Sequence, residues 1–449
     1  MGVAAGGNEA PARVFVPSLD TPRDRHLFGP GPKRLLTLDG GGVRGAITVA
    51  FLEKIEAMVR ERHGRDKKLC DYFDLIGGTS TGSIIAGALA LGMTVAEVKK
   101  FYFDLAPLAF KRQSWGIPYL HALFDARSLR REIVNVVGDR LLSTPDLLTG
   151  FGMVAKRMDT GSPWILTNNP GAPFWEDGPK GSYVGNKRFP MATLVRASTA
   201  APRYFDPEII EINKVERELP SIVAKPFALP APLRVLTALV ARTIGGRVDK
   251  IDPNTHGLFV DGGVSPHNNP TLAMFHHVTL RPFNICWPLG PDKLTVVSIG
   301  TGTYRPRLSY DDLGFGRFAK LAFHSLMSLM SDSQMLVLAL MQFMGECPAP
   351  WPINAEIGTL ANEIPRGGKA FRFLRYDVRL ETDWIRDELG RDVSEAELER
   401  YRAMDDPRIV EKIYDLACIA ASKQFKPEHW PMAEAVPGFT AGQPPGPTA

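Results

Sequence analysis

The stretch that decides the fold runs Tyr72-Phe73-Asp74-Leu75-Ile76, then Gly78-Thr79-Ser80-Thr81-Gly82, then Ser83-Ile84-Ile85-Ala86-Gly87-Ala88-Leu89-Ala90. The short, largely apolar run predicts a strand, and the small-residue run from Thr81 to Leu91 predicts a helix. Between them sits G-x-S-x-G. A serine on so sharp a strand-to-helix turn needs neighbours with almost no side chain. The turn then lifts its hydroxyl above the sheet and puts a helix N-terminus beneath it. The pentapeptide alone does not separate a nucleophile elbow from an ordinary tight turn, because the chain has 42 glycines. Its strand–turn–helix context favours the elbow, with Ser80 as nucleophile between Gly78 and Gly82.

Upstream, Arg34-Leu35-Leu36-Thr37-Leu38 reads as a buried strand, Asp39-Gly40-Gly41-Gly42-Val43-Arg44-Gly45 as a loop, and Ala46 to Glu61 as a helix. Gly40 to Gly45 matches G-x-G-x-x-G, so a dinucleotide-binding turn is one reading. That reading needs an acidic residue about 20 positions on, at a strand end. Here the position falls in helix and in the charged loop Glu61-Arg62-His63-Gly64-Arg65-Asp66-Lys67-Lys68. The other reading is an oxyanion hole: consecutive glycines let backbone N–H groups converge, and the helix N-terminus adds positive potential. Arg44 can add charge or brace the loop.

A serine needs a base. The predicted strand Gly257-Leu258-Phe259-Val260 ends in Asp261-Gly262-Gly263, so a carboxylate freed by two glycines can approach Ser80 directly. Together the three stretches resemble the patatin-like phospholipases, whose pattern is a D-G-G-G-x-R-G loop, G-x-S-x-G and a D-G-[GA] triplet in that order. The resemblance extends to Arg196-Ala197-Ser198-Thr199-Ala200-Ala201-Pro202-Arg203-Tyr204-Phe205, to Asn268-Asn269-Pro270 and to Ser298-Ile299-Gly300-Thr301-Gly302. It covers roughly residues 33–305, and departs at Ser83, where many members carry glycine. It implies a Ser–Asp dyad, with Ser80 attacking and Asp261 taking its proton. It also implies an oxyanion hole from the Gly41 and Gly42 amides with Arg44 nearby, and hydrolysis of lipid carboxylic esters through an acyl-enzyme.

A Ser–His–Asp triad stays in view because His267, His276, His277, His324 and His429 all come after Asp261; His267 is the tempting one, six residues on. No H-x-x-x-H or C-x-x-C spacing points to a metal, and no cofactor is expected. Net charge of +4 does not suggest a nucleic-acid partner. Cys70, Cys286, Cys347 and Cys418 are scattered and read as free thiols. The first residues lack a basic and apolar leader, Gly6 breaks the myristoylation pattern, and no apolar run reaches about 18 residues. The expectation is a cytoplasmic enzyme with peripheral contact to a membrane surface, its oligomeric state open.

Alternating strands and helices, with Trp164-Ile165-Leu166-Thr167 a further strand and Met191 to Ala201 a further helix, predict an α/β fold. Its form is a three-layer α/β/α arrangement around a mostly parallel sheet. The expected organisation is a mostly disordered segment 1–30, a catalytic domain 31–305 with an insertion about 207–256, a helical C-terminal extension 306–430 packed on it, and a disordered tail 431–449. Residues 305–346 and 394–426 read as helical, with Ser394-x-x-Glu397 as a capping box. Two segments are candidates for lipid contact: the basic-flanked apolar run 233–242 within 225–250, and Phe318 to Met344 with its five methionines. For each, a core-packing helix is the alternative and the commoner case. Competing functions are a general esterase or thioesterase on soluble substrates, and a signal-activated effector. The resemblance brings in the latter, because some bacterial members respond to nucleotide second messengers, and a regulatory surface would fit after about residue 305.

Overall fold

The computed structural model describes residues 15–110, 122–213, 255–306 and 317–431. The 225–250 segment and the 432–449 tail lie outside the described residues. Among the described residues nine strands form one sheet: β1 (Lys33–Leu38), β2 (Leu75–Thr79), β3 (Gly150–Arg157), β4 (Ser162–Thr167), β5 (Glu208–Glu211), β6 (His256–Asp261), β7 (Leu294–Ile299), β8 (Gly345–Glu346) and β9 (Phe371–Tyr376). Their order is β5-β6-β3-β2-β1-β7-β9-β8, with β4 paired to β3. The β2–β3, β1–β2, β1–β7, β7–β9 and β8–β9 pairs are parallel; β4 and β6 run antiparallel to β3, and β5 antiparallel to β6.

Strand alternation separates two cores. Leu36 and Leu38 of β1, Ile76 of β2, Val297 and Ile299 of β7, and Leu374 and Tyr376 of β9 point into one. Leu35, Leu75, Val296, Phe371 and Phe373, their neighbours in sequence, point into the other. Against the first face pack α2 (Gly45–His63), α4 (Thr81–Ala90), α5 (Val95–Ala109), α6 (Ala126–Val137), α7 (Met191–Ser198) and α11 (Val410–Gln424). Against the second pack α1 (Pro22–Phe28), α8 (Thr271–Thr279) and α9 (Arg317–Met344). Two further short helices are α3 (Leu69–Tyr72) and α10 (Glu395–Arg402). The result is the three-layer arrangement expected, with buried strands reading as nearly continuous apolar runs.

Three features differ from the sequence reading. Residues 22–28, placed in a mostly disordered segment, form α1, capped by the Thr21 hydroxyl and pinned by fully buried Leu27. The C-terminal extension is not only helical: β9 joins β7 in parallel register from Thr295↔Arg372 to Ile299↔Tyr376, so the extension completes the central sheet. And α9 carries one stretch, 324–344, long and apolar enough by length and composition to cross a membrane. Serines, glutamines and Asp332 interrupt that stretch in sequence, which is why no continuous apolar run signals it. In the structure Val337, Leu338 and Met341 bury its inner side against the sheet. All four cysteines are unpaired.

Candidate active site

Strand β2 ends at Thr79 and α4 begins at Thr81, so Ser80 is the whole turn. Its φ of 54° and ψ of −126° lie where side-chain-bearing residues rarely sit, at a cost of order 1–3 kcal/mol. Neighbours hold it there. The Ser80 N–H donates to Ser198 Oγ at 2.9 Å, and that hydroxyl donates to the Val154 carbonyl at 2.6 Å. The Ser80 carbonyl accepts from the buried Ser83 hydroxyl at 2.6 Å, so the departure at Ser83 is a satisfied polar group. A Cβ on Gly78 would stand 2.2 Å from the Gly82 carbonyl carbon, and one on Gly82 2.3 Å from the Leu38 oxygen. Neither position has room for a side chain.

Asp261, at the end of β6, presents both carboxylate oxygens to donors. Oδ2 accepts the Ser80 hydroxyl at 2.5 Å, and Oδ1 accepts the Gly263 N–H at 2.7 Å. Gly262 lies against β3, where a Cβ would come within 2.3 Å of the Val154 oxygen. Only 4% of Asp261 is exposed, and burial pushes its carboxyl from the ordinary 3.8 up to about 6. The hydrogen bonds from Ser80 and Gly263 and the positive charge of buried Arg196 oppose that rise. Dry surroundings thus bring a carboxylate closer to the basicity that proton transfer from a hydroxyl requires.

The glycine loop shows how backbone donors are aimed. In a planar trans peptide the C=O of one residue and the N–H of the next point opposite ways. The Gly40 carbonyl is held by Thr301 Oγ1 at 2.7 Å and Asn268 Nδ2 at 3.3 Å, which turns the Gly41 N–H the other way. The Gly41 carbonyl accepts the Arg44 N–H at 3.2 Å, which does the same for Gly42. The Gly40 N–H is spent on the Asn268 carbonyl and the Val43 N–H on the Met404 carbonyl. Gly41 and Gly42 thus keep N–H groups with no hydrogen-bond acceptor among the described residues, and both residues line a cleft with Ser80. The Gly42 carbonyl is anchored by the Thr81 and Tyr102 hydroxyls. Gly45 opens α2, against the Tyr102 ring. Of the two roles expected for Arg44, adding charge to the oxyanion hole or bracing the loop, its contacts fit the second. Its guanidinium donates to the Gly302 carbonyl at 3.2 Å and covers the Tyr304 ring, away from the cleft lining. It braces the loop.

The cleft over Ser80 encloses about 880 Å³ of space, part of it open to solvent. Its wall is largely apolar, with Ile84, Leu105, Phe110, Leu129, Phe205 and the α9 residues Met327 and Met330. The methionines of α9 divide: Met327 and Met330 face the cleft, and Met341 is core. His267 is not part of the site. Its carbonyl accepts the Thr79 hydroxyl at 2.6 Å, while its ring makes no bond to Ser80 or Asp261 and lines no part of the cleft. His277 is bonded to Thr167 on the far side of the sheet. Among the described residues no third group completes a triad, and no cluster of three His, Cys, Asp or Glu is placed to hold a metal ion. Sequence reasoning missed Thr301 as a clamp, Met404 as an acceptor and Arg375, which bonds Asp39 at 2.7 Å. Only Thr301 carried a signal, inside the Gly300-Thr301-Gly302 turn.

The family model described as patatin-like phospholipase matches residues 36–275, which include the glycine loop, the elbow and Asp261. The chain belongs to this family. A patatin-like protein 1 from Oryza sativa subsp. indica is 38% identical over 288 residues, 60% of this chain and 58% of its own. A cUMP-AMP-activated phospholipase of Escherichia coli is 33% identical over 244 residues, 54% of this chain and 68% of its own. A cGAMP-activated phospholipase of Escherichia coli strain TW11681 is 32% identical over 180 residues, 39% of this chain and 48% of its own. The chain spans about half the length of the cGAMP-activated relatives it matches. In this patatin-like chain β7, α9 and β9 all lie beyond the matched region.

Proposed function

We propose that this chain is a lipid acyl hydrolase that cleaves carboxylic esters by a Ser80–Asp261 dyad. The 2.5 Å bond from Ser80 Oγ to Asp261 Oδ2, at the floor of an apolar cleft, carries the reading. Asp261 takes the hydroxyl proton as Ser80 Oγ attacks the ester carbonyl. The oxygen that becomes negative is received by the Gly41 and Gly42 N–H groups, each such donor being worth about 3–4 kcal/mol. Asp261 returns the proton to the departing alcohol, and water, deprotonated by the same carboxylate, releases the acid. A wall this apolar suits an acyl chain better than a small polar ester.

The surface of α9 supports a lipid substrate. Leu321, Leu329, Leu336, Leu340 and Phe343 recur at helical spacing and stand exposed, from 37% for Leu340 to 63% for Leu329. The same helix supplies Met327 and Met330 to the cleft, so a membrane resting on this stripe would lie beside the site. A second reading, turnover that waits for a signal, draws on relatives named for cyclic-dinucleotide activation and on Met404. That residue of the extension holds the Val43 N–H beside the oxyanion loop.

The deciding experiment compares wild type and Ser80→Ala on phospholipid vesicles and on a short soluble ester, with products identified by mass spectrometry. Free fatty acid from vesicles, absent with Ser80→Ala, is the expected result. Turnover of the soluble ester alone would favour the general esterase. Release from vesicles only after adding cGAMP would favour the effector.

A further inference from the structure

We infer that Arg375 is a positioning residue for the oxyanion loop: a guanidinium supplied by β9, outside the family domain, sets the pose from which Gly41 offers its N–H to the substrate. The inference rests on the acyl-hydrolase reading.

Arg375 acts on the loop along two legs. Nη2 donates to Asp39 Oδ2 at 2.7 Å, and Asp39 is the residue from which the glycine loop starts. The same nitrogen donates to Asp377 Oδ2 at 2.6 Å, and Nη1 to Ser298 Oγ at 2.8 Å. Asp377 in turn accepts the Gly302 N–H at 2.8 Å and the Thr303 hydroxyl at 2.7 Å. A Cβ on Gly300 would stand 2.1 Å from the Asp377 carboxyl carbon, so the 300–303 turn lies directly on that carboxylate. This turn carries Thr301, whose hydroxyl fixes the Gly40 carbonyl and with it the direction of the Gly41 N–H. One leg therefore holds the start of the loop, and the other holds the clamp on its first peptide.

Energetics point to placement rather than stability. Arg375, Asp39 and Asp377 are each 5% exposed or less. Burying three charges costs several kcal/mol per ion, and well-packed apolar side chains usually stabilise as much or more. One guanidinium also serves two carboxylates, and Asp39 Oδ1 has no partner among the described residues. What the cluster supplies is fixed geometry, reaching from the extension to the loop beside Ser80.

The test uses the full chain and a short soluble ester, with kcat expressed per Ser80 site labelled by a fluorophosphonate. Arg375→Met is expected to lower kcat per labelled site by ~10²-fold with KM within about twofold, the loss seen when one oxyanion donor is misplaced. Arg375→Lys should recover part of it, and adding Asp39→Asn to Arg375→Met should cost little more, because Arg375→Met has already broken the leg to which Asp39 belongs. Thr301→Val leaves the ion cluster intact and removes only the clamp, so it decides the matter if Arg375→Met does not fold; it should lower kcat in the same way. Unchanged kcat per labelled site in Arg375→Met, or in Thr301→Val where that variant alone folds, would overturn the inference even if Tm falls. A loss confined to KM would do so as well. Absence of Ser80-dependent turnover in wild type would instead sink the acyl-hydrolase reading, and the inference with it.

Discussion

Thr79 and Asp261 stand opposite consecutive residues of one strand, Val154 and Ala155 of β3. Strand β4 pairs with β3 across both of these positions, so it occupies one edge, and β2 and β6 must share the other. They enter that edge from opposite ends, β2 parallel and β6 antiparallel to β3, and their carboxyl ends meet head-on. The dyad forms because each strand breaks off at this junction. Ser80 leaves β2 into an elbow, Asp261 ends β6 in two glycines, and Ser198 from α7 ties the elbow to Val154 at the same point. Backbone pairing thus delivers the hydroxyl and the carboxylate to within a hydrogen bond of each other, 181 residues apart in sequence.

The burial that places Asp261 also sets its pH behaviour. A base must be ionised, and this one is pushed up to about 6, so kcat/KM on a soluble ester should fall about tenfold per unit below roughly pH 6 and level off above it. Asp261→Asn keeps the shape and should lower kcat by ~10²–10⁴-fold on the plateau above pH 6, with the acid limb lost and the gap to wild type closing as the pH falls. Stability should move the other way. A carboxyl raised in the fold disfavours its own ionisation, so wild type is penalised above about pH 6 and the penalty fades towards about pH 4, where the folded and unfolded groups are both protonated. Asp261→Asn should therefore raise Tm near pH 8 and lose that advantage on acidification. An acid limb unchanged in position between wild type and Asp261→Asn would show that another group titrates.

The parts of the site legible in sequence are those whose geometry is local. A glycine between strand and helix announces itself because the turn excludes a side chain, as at Gly82 against the Leu38 oxygen. A carboxylate freed by two glycines does so too. What escaped reading depends on distant partners. Arg375 lies in Phe371-Arg372-Phe373-Leu374-Arg375-Tyr376, where an arginine reads as a solvent-facing position. Its burial makes sense only with Asp39, 336 residues away. Strand β9 was hidden for that reason, and with it the fact that the extension completes the sheet. The α9 methionines read more readily as core than as contact for acyl chains, and periodicity cannot say what a face meets; Met341 went to the core and Met330 to the cleft.

The outer stripe of α9 should act at the membrane and nowhere else. Replacing Leu329, Leu336 and Leu340 together by serine removes exposed apolar area without touching the buried side of the helix. At about 1 kcal/mol per leucine, partitioning to vesicles should weaken roughly fivefold for each. Sedimentation with phospholipid vesicles measures binding, and vesicle hydrolysis should fall in step while the rate on a short soluble ester stays as in wild type. Full vesicle binding by the triple variant would place the docking face elsewhere on the molecule.

Met330 should set the length of acyl chain that the site accepts. It lines the cleft, and its methyl lies 3.5 Å from where a Cβ on Gly263 would be, so it overhangs the turn that carries Asp261. Methionine is flexible enough to move around chains of different shape. A rigid indole would not. Met330→Trp should therefore spare esters of about four carbons and lower kcat/KM for those of about sixteen by ~10–100-fold, the worth of a few displaced methylenes. Met330→Ala, which opens the same wall, should leave long chains at or above the wild-type rate. The quantity to measure is the ratio of kcat/KM for long and short monomeric esters. An equal loss on both lengths in Met330→Trp would mean that the dyad was disturbed and that acyl chains leave the cleft by another wall.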